Sequence, residues 1–260
     1  MKKKLTPEKA LKAVWVVFGL FVFGQFAAKT GEMVANLFSY VRIDPYGQFM
    51  WKSVQHLAML ILALCAILIL RNLWGMDFGL RIGGWRLGLI SVCVFSLGFF
   101  VCAAAVYWVQ GSMGYEPFYL PFMSPLSGVG TFFCELVLIP IAEELLYRAL
   151  PIGLMWHVLG KGKLVCFGRY VYEEYRTRSW QTIYPAGIVA AVLFALAQIR
   201  WSAAPFAIEY DSFKIMLAFV TGIIYAKVYE RTESIIYPIM MHGMANVITL
   251  GLGYLCSAIF

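Results

Sequence analysis

Charge is what this sequence has least of. Only 13% of its 260 residues are Asp, Glu, Lys or Arg, against 62% that are hydrophobic, and the mean hydropathy is +0.76. One soluble domain cannot hide that much apolar side chain, so lipid must be the solvent for most of it. No internal repeat or low-complexity tract breaks the pattern. The six cysteines (Cys65, Cys93, Cys102, Cys134, Cys166, Cys256) have no paired spacing, and five lie inside apolar runs. They read as packing residues, implying neither a disulfide nor a metal site. The net charge of +7 does not point to nucleic acid, because the basic residues flank apolar runs, where Lys and Arg set topology.

What the chain does have is a series of long apolar runs: 13–28, 55–70, 87–109, 126–158, 183–206, 213–226 and 235–256. At about 20 residues per helical span, the length allows roughly six to eight crossings. The expected fold is therefore all-α, a polytopic transmembrane bundle of about seven helices around a polar cavity that opens toward the cytoplasm or the membrane plane. Residues 1–12 carry five lysines before the first run and resemble the start of a secretory signal peptide. The length of the run and the spans that follow favour an uncleaved first helix. With that N-terminus in the cytoplasm, the basic connections Arg71 to Arg86, Lys161 to Arg178 and Lys227 to Arg231 share its side, and the C-terminus lies outside. Two stretches are irregular. The run at 126–158 is long for one span and holds Pro140 and Pro151, which predicts a kinked or broken helix. The polar stretch at 160–181 reads as an interfacial loop or short amphipathic helix.

The strongest local signal is IPIAEELLYRALP, residues 139–151, since two carboxylates and a guanidinium are costly to bury in lipid. On a helix Glu144 and Arg148, four apart, share a face and can pair. Glu143 points about 100° away, without that partner, and is left to face a cavity. Burial and the nearby Arg148 pull its ionisation in opposite directions, which suits a general base acting on water. The bland alternative is a charge network that only fixes helix packing. In HGMAN, His242 and Asn246 project from one face and can donate two hydrogen bonds to an oxygen that turns negative; ordinary interhelical hydrogen bonding is the alternative. In FALAQ, Phe194 and Gln198 stand four apart on one helical face. Glu135, two turns before Glu143, extends a possible polar path. His56 and His157 read as helix-end histidines.

The order EExxxR, FxxxH, HxxxN on successive membrane helices resembles the CPBP family, which includes the type II CAAX prenyl proteases. Glu143, Glu144 and Arg148 match its first motif, Phe194 its second, His242 and Asn246 its third. The stretch FVTGIIYAKVYERTESIIYPIMMHGMAN is also similar to the family's third-motif region. The resemblance covers about residues 126–250, the expected protease core; residues 1–125 match only as generic membrane helices, and 251–260 end the last helix. It implies that Glu143 activates water, that the second-motif histidine holds or polarises that water, and that His242 and Asn246 bind the oxyanion; the spacing of Glu144 and Arg148 lets that pair hold the site's charge. Gln198 departs from the pattern, standing where the motif histidine belongs. Glutamine can orient a water but cannot shuttle a proton near neutral pH.

The reading is thus an intramembrane glutamate-type endopeptidase with candidate catalytic residues Glu143, Glu144, Arg148, Gln198, His242 and Asn246. Zinc is disfavoured because HExxH is absent and good ligands are few, so no metal or cofactor is expected. The rival is a pseudoprotease that kept the fold as a membrane scaffold and lost its chemistry at Gln198. A transporter or ion pathway is a third reading. The expected partners are the lipid bilayer and a peptide or membrane-protein substrate, and the expected location is a cell membrane crossed several times, of the bacterial inner-membrane kind. CAAX processing, bacteriocin maturation, immunity and peptide-signal processing all remain open as settings.

Overall fold

The structure, a computed structural model, describes residues 6–47, 49–113, 125–160, 163–165, 169–171, 184–203 and 206–259. Its helices are α1 (Pro7–Ala35), α2 (Met50–Trp74), α3 (Trp85–Ser112), α4 (Pro125–Phe133), α5 (Ile139–Glu144), α6 (Leu150–Leu159), α7 (Pro185–Leu196), α8 (Ser212–Thr232) and α9 (Ile236–Ile259). The wide π-helical turns Cys134–Leu138 and Leu145–Ala149 join α4, α5 and α6 into one continuous rod. Seven helical rods result among the described residues, one for each apolar run. Five helices, α1, α2, α3, α8 and α9, are long and apolar enough to cross a membrane. Their outward faces carry large apolar side chains such as Phe18, Ile61, Val94, Leu97 and Val220, each exposed as a lipid-facing surface requires. The fold is an all-α membrane bundle.

The central rod owes its shape to two prolines. Pro140 and Pro151 each sit at the start of the helix that follows a wide turn. Proline has no N–H and its ring collides with the carbonyl four residues earlier, so a regular α-helix cannot simply run through it. Here the preceding turn widens instead: Ile139 N–H donates to Cys134 O and Leu150 N–H to Leu145 O, five residues back in both cases. The expected kink or break is thus replaced by two local bulges in an unbroken helix. Between them α5 packs against α2 and α9, while α6 packs against α1 and α7.

Small residues let the helices approach closely, as membrane packing favours. A Cβ on Gly243 of α9 would meet Leu136 O at 2.3 Å, and one on Gly222 of α8 would meet Ala191 and the Arg148 guanidinium at 3.1–3.3 Å. The fifth apolar run differs from a simple span. Its helix, α7, has 12 residues, about 18 Å, and gives way to a hairpin of β3 (Arg200–Ala203) and β4 (Phe206–Glu209). The two strands pair with each other along one edge, and Trp201 Nε1 donates to Gln25 of α1 at 2.7 Å. Of residues 160–181, Lys163–Val165 (β1) and Arg169–Val171 (β2) pair antiparallel, so the described part of that stretch is extended and not helical. Most of the rest lies outside the described residues.

Candidate active site

Glu143 and Glu144 close α5, between the two wide turns. Glu144 is fully buried and its Oε1 is paired with Arg148 Nη1. Arg148, also fully buried, has its Cζ 4.7 Å from the Phe194 ring centroid and 5.0 Å from that of Tyr225. Arg148 Nε and Nη2 have no hydrogen-bond partner among the described residues, and the two ring faces offset part of that cost. Phe194 therefore has a physical role as one wall of the guanidinium.

The same two rings hold His242. Phe194 meets it edge-on at 5.7 Å and Tyr225 stacks on it at 5.9 Å. His242 Nδ1 lies 2.8 Å from Glu144 Oε1. A carboxylate paired with Arg148 only accepts, so Nδ1 carries the proton and Nε2 faces Glu143 Oε2 at 3.7 Å. One turn further along α9, Asn246 Nδ2 donates to the main-chain oxygen of Glu135 at 3.1 Å. That oxygen is available because of the wide turn: Ile139 N–H reaches past it to Cys134 O, and Pro140 has no N–H to offer. The bulge thus anchors one N–H of the carboxamide and leaves the other.

Glu135 extends the polar cluster outward, its Oε1 meeting Lys52 Nζ at 3.1 Å. His56, one turn beyond Lys52 on α2, does not behave as a detached helix-end histidine. Its Nε2 approaches Glu143 Oε1 at 3.5 Å, and its Nδ1 lies 2.8 Å from Lys52 O. Glu143 is accordingly flanked by two imidazoles and is not free of partners. The sequence signal for His56 was a histidine at the start of an apolar run, with nothing to say that α2 packs on α5. His157, by contrast, is an exposed helix-end residue stacked on Trp74 at 5.7 Å.

Gln198 is the candidate left outside this group. It lies in the turn just past the C-cap Ala197, its N–H donating to Ala195 O at 3.1 Å. Among the described residues its one side-chain hydrogen bond, long at 3.5 Å, goes to Phe194 O. No group of three or more His, Cys, Asp or Glu among the described residues could hold a metal ion, so the donor set does not fit a catalytic zinc with three protein ligands.

These features define a polytopic membrane protein with a buried carboxylate pair set against imidazoles from neighbouring helices. The family model for the Type II CAAX prenyl endopeptidase Rce1-like proteins matches residues 125–248, from the start of α4 into α9. The resemblance to the CPBP family therefore holds over that segment, which carries Glu143, Glu144, Arg148, His242 and Asn246, and it supports a membrane endopeptidase kind of function. No match was found among curated proteins or among solved structures.

Proposed function

We propose that this protein is a membrane-embedded endopeptidase of the glutamate type. Glu143 takes a proton from water, the oxygen attacks a peptide carbonyl in or near the bilayer, and the carbon–nitrogen bond breaks as Glu143 passes that proton to the leaving amine. The observation that carries this reading is His242, with Nδ1 spent on Glu144 and Nε2 left 3.7 Å from Glu143. When protonated, Nε2 is a donor aimed at the space beside Glu143, and the charge it carries is balanced by Glu144. Asn246 offers its remaining N–H to the same oxyanion. Donors of this kind are worth about 10² to 10³ in rate. Arg148 pairs with Glu144, which in turn meets His242 Nδ1, so the pair acts through His242.

The substrate on this reading is a peptide or membrane protein, and a peptide with a prenylated CAAX end is the first to try because of the matched family's name. The protein is placed in a cell membrane with the N-terminus cytoplasmic. Detergent-purified protein should cleave an internally quenched peptide bearing such an end, and Glu143→Gln should reduce the rate by about 10²-fold or more. Unchanged cleavage by Glu143→Gln would count against the assignment.

The pseudoprotease reading has one observation in its favour, the seat of Gln198 at a helix end with its amide turned back to Phe194 O. On that reading the parent is inert and Gln198→His gains a cleavage activity that Glu143→Gln removes.

A further inference from the structure

His56 of α2 presents a second imidazole to Glu143, with Nε2 3.5 Å from Oε1. His56 Nδ1 lies 2.8 Å from the Lys52 carbonyl, an oxygen that can only accept, so Nδ1 must carry a proton. That fixes the tautomer, and the other nitrogen, Nε2, faces Glu143 Oε1 at 3.5 Å. A neutral Nε2 and a carboxylate oxygen are both acceptors. They are held side by side only with a proton on one of them or a water's proton between them. The His56 side chain is 11% exposed and that of Glu143 19%, so bulk solvent does little to relieve the clash of lone pairs.

We infer that His56 is the positioning partner of Glu143, orienting its carboxylate and holding the proton between Nε2 and Oε1. This rests on the reading of Glu143 as the base. The proton count closes as follows. Besides the proton on Nδ1, the resting pair holds one between Nε2 and Oε1, and water gives a further one, the second of that site, to the other carboxylate oxygen, Oε2, which faces the His242 side. That second proton leaves with the amine, and the pair returns to its starting state. The charged and titratable groups around it are Lys52 on α2, His242 on α9, Glu135, Glu144 and Tyr147 on the central rod, and Lys214 at the start of α8.

Two substitutions separate a proton-holding role from a packing role. His56→Asn can keep a donor toward the Lys52 carbonyl and deletes the Nε2 side; His56→Gln can reach Glu143 with a donor that does not titrate. With the prenylated quenched peptide, both are expected to lower kcat about 10²-fold while KM stays within about twofold, and to remove one limb of the pH–rate profile. The second readout needs no substrate. The chain has three histidines, so ring-nitrogen NMR of the full-length labelled protein in detergent resolves His56. Its titration midpoint should move by about one pH unit or more in Glu143→Gln, because a charge at this range is lost. Full kcat with an unchanged pH profile in both His56 variants overturns the inference while leaving Glu143 as base. A peptide left uncut by the parent overturns the protease reading, and the NMR arm then decides the pair alone: a His56 midpoint indifferent to Glu143→Gln refutes it.

Discussion

Arg148 shows how a single side chain serves both fold and site. It is fully buried, bonds Glu144, and lies between Phe194 and Tyr225, the two rings that also hold His242. Arg148→Ala strands the Glu144 charge in a fully buried position, at roughly 3 to 5 kcal/mol. The expected result is a lower yield of folded protein and a lower melting temperature in detergent. Glu143→Gln keeps the shape and should melt close to the parent. Normal accumulation and melting of Arg148→Ala would remove the ion pair from the account. At this scale the sequence was readable where spacing along one helix decides contact, as with Glu144 and Arg148 or His242 and Asn246. It was unreadable where contact depends on packing between helices. Nothing in the residues around His56 says that α2 lies against α5, and nothing around Gln198 says that the helix ends two residues earlier, at Leu196.

Among the elements, the central rod and α9 depend on each other through the first wide turn. Gly243 approaches the Leu136 carbonyl so closely that an added Cβ would sit 2.3 Å from it, against backbone that cannot swing aside. Gly243→Ala should force α9 away from residues 134–138, costing about 1 to 3 kcal/mol. His242 and Asn246 flank Gly243 on α9, so cleavage should fall more steeply than thermal stability. A variant that melts low yet cleaves normally would show that the approach does not position the site. The apolar runs predicted the rods well because span length is set by the bilayer. Pro140 and Pro151 marked the irregular places correctly, but a proline is compatible with a kink, a break or a wide turn. At Pro140 the wide turn releases the Glu135 carbonyl, which Asn246 of α9 uses. In the fifth run, apolar composition concealed that α7 stops at Leu196 and a hairpin follows.

For the whole molecule, seven rods with the basic connections gathered on one side predict termini on opposite faces of the membrane. Reporter fusions at Lys3 and Phe260 should read cytoplasmic and external respectively; two cytoplasmic signals would require an even number of crossings. The central claim is that the assembled bundle brings water to Glu143 and splits a peptide bond. Its most direct test is mass spectrometry of the products formed when the purified protein and the prenylated peptide react in water enriched in heavy oxygen. The account predicts one heavy oxygen in the new carboxyl group from the parent, and product reduced by about 10²-fold or more from Glu143→Gln. Equal labelled product from both proteins, or a new carboxyl group without the heavy oxygen, would contradict it.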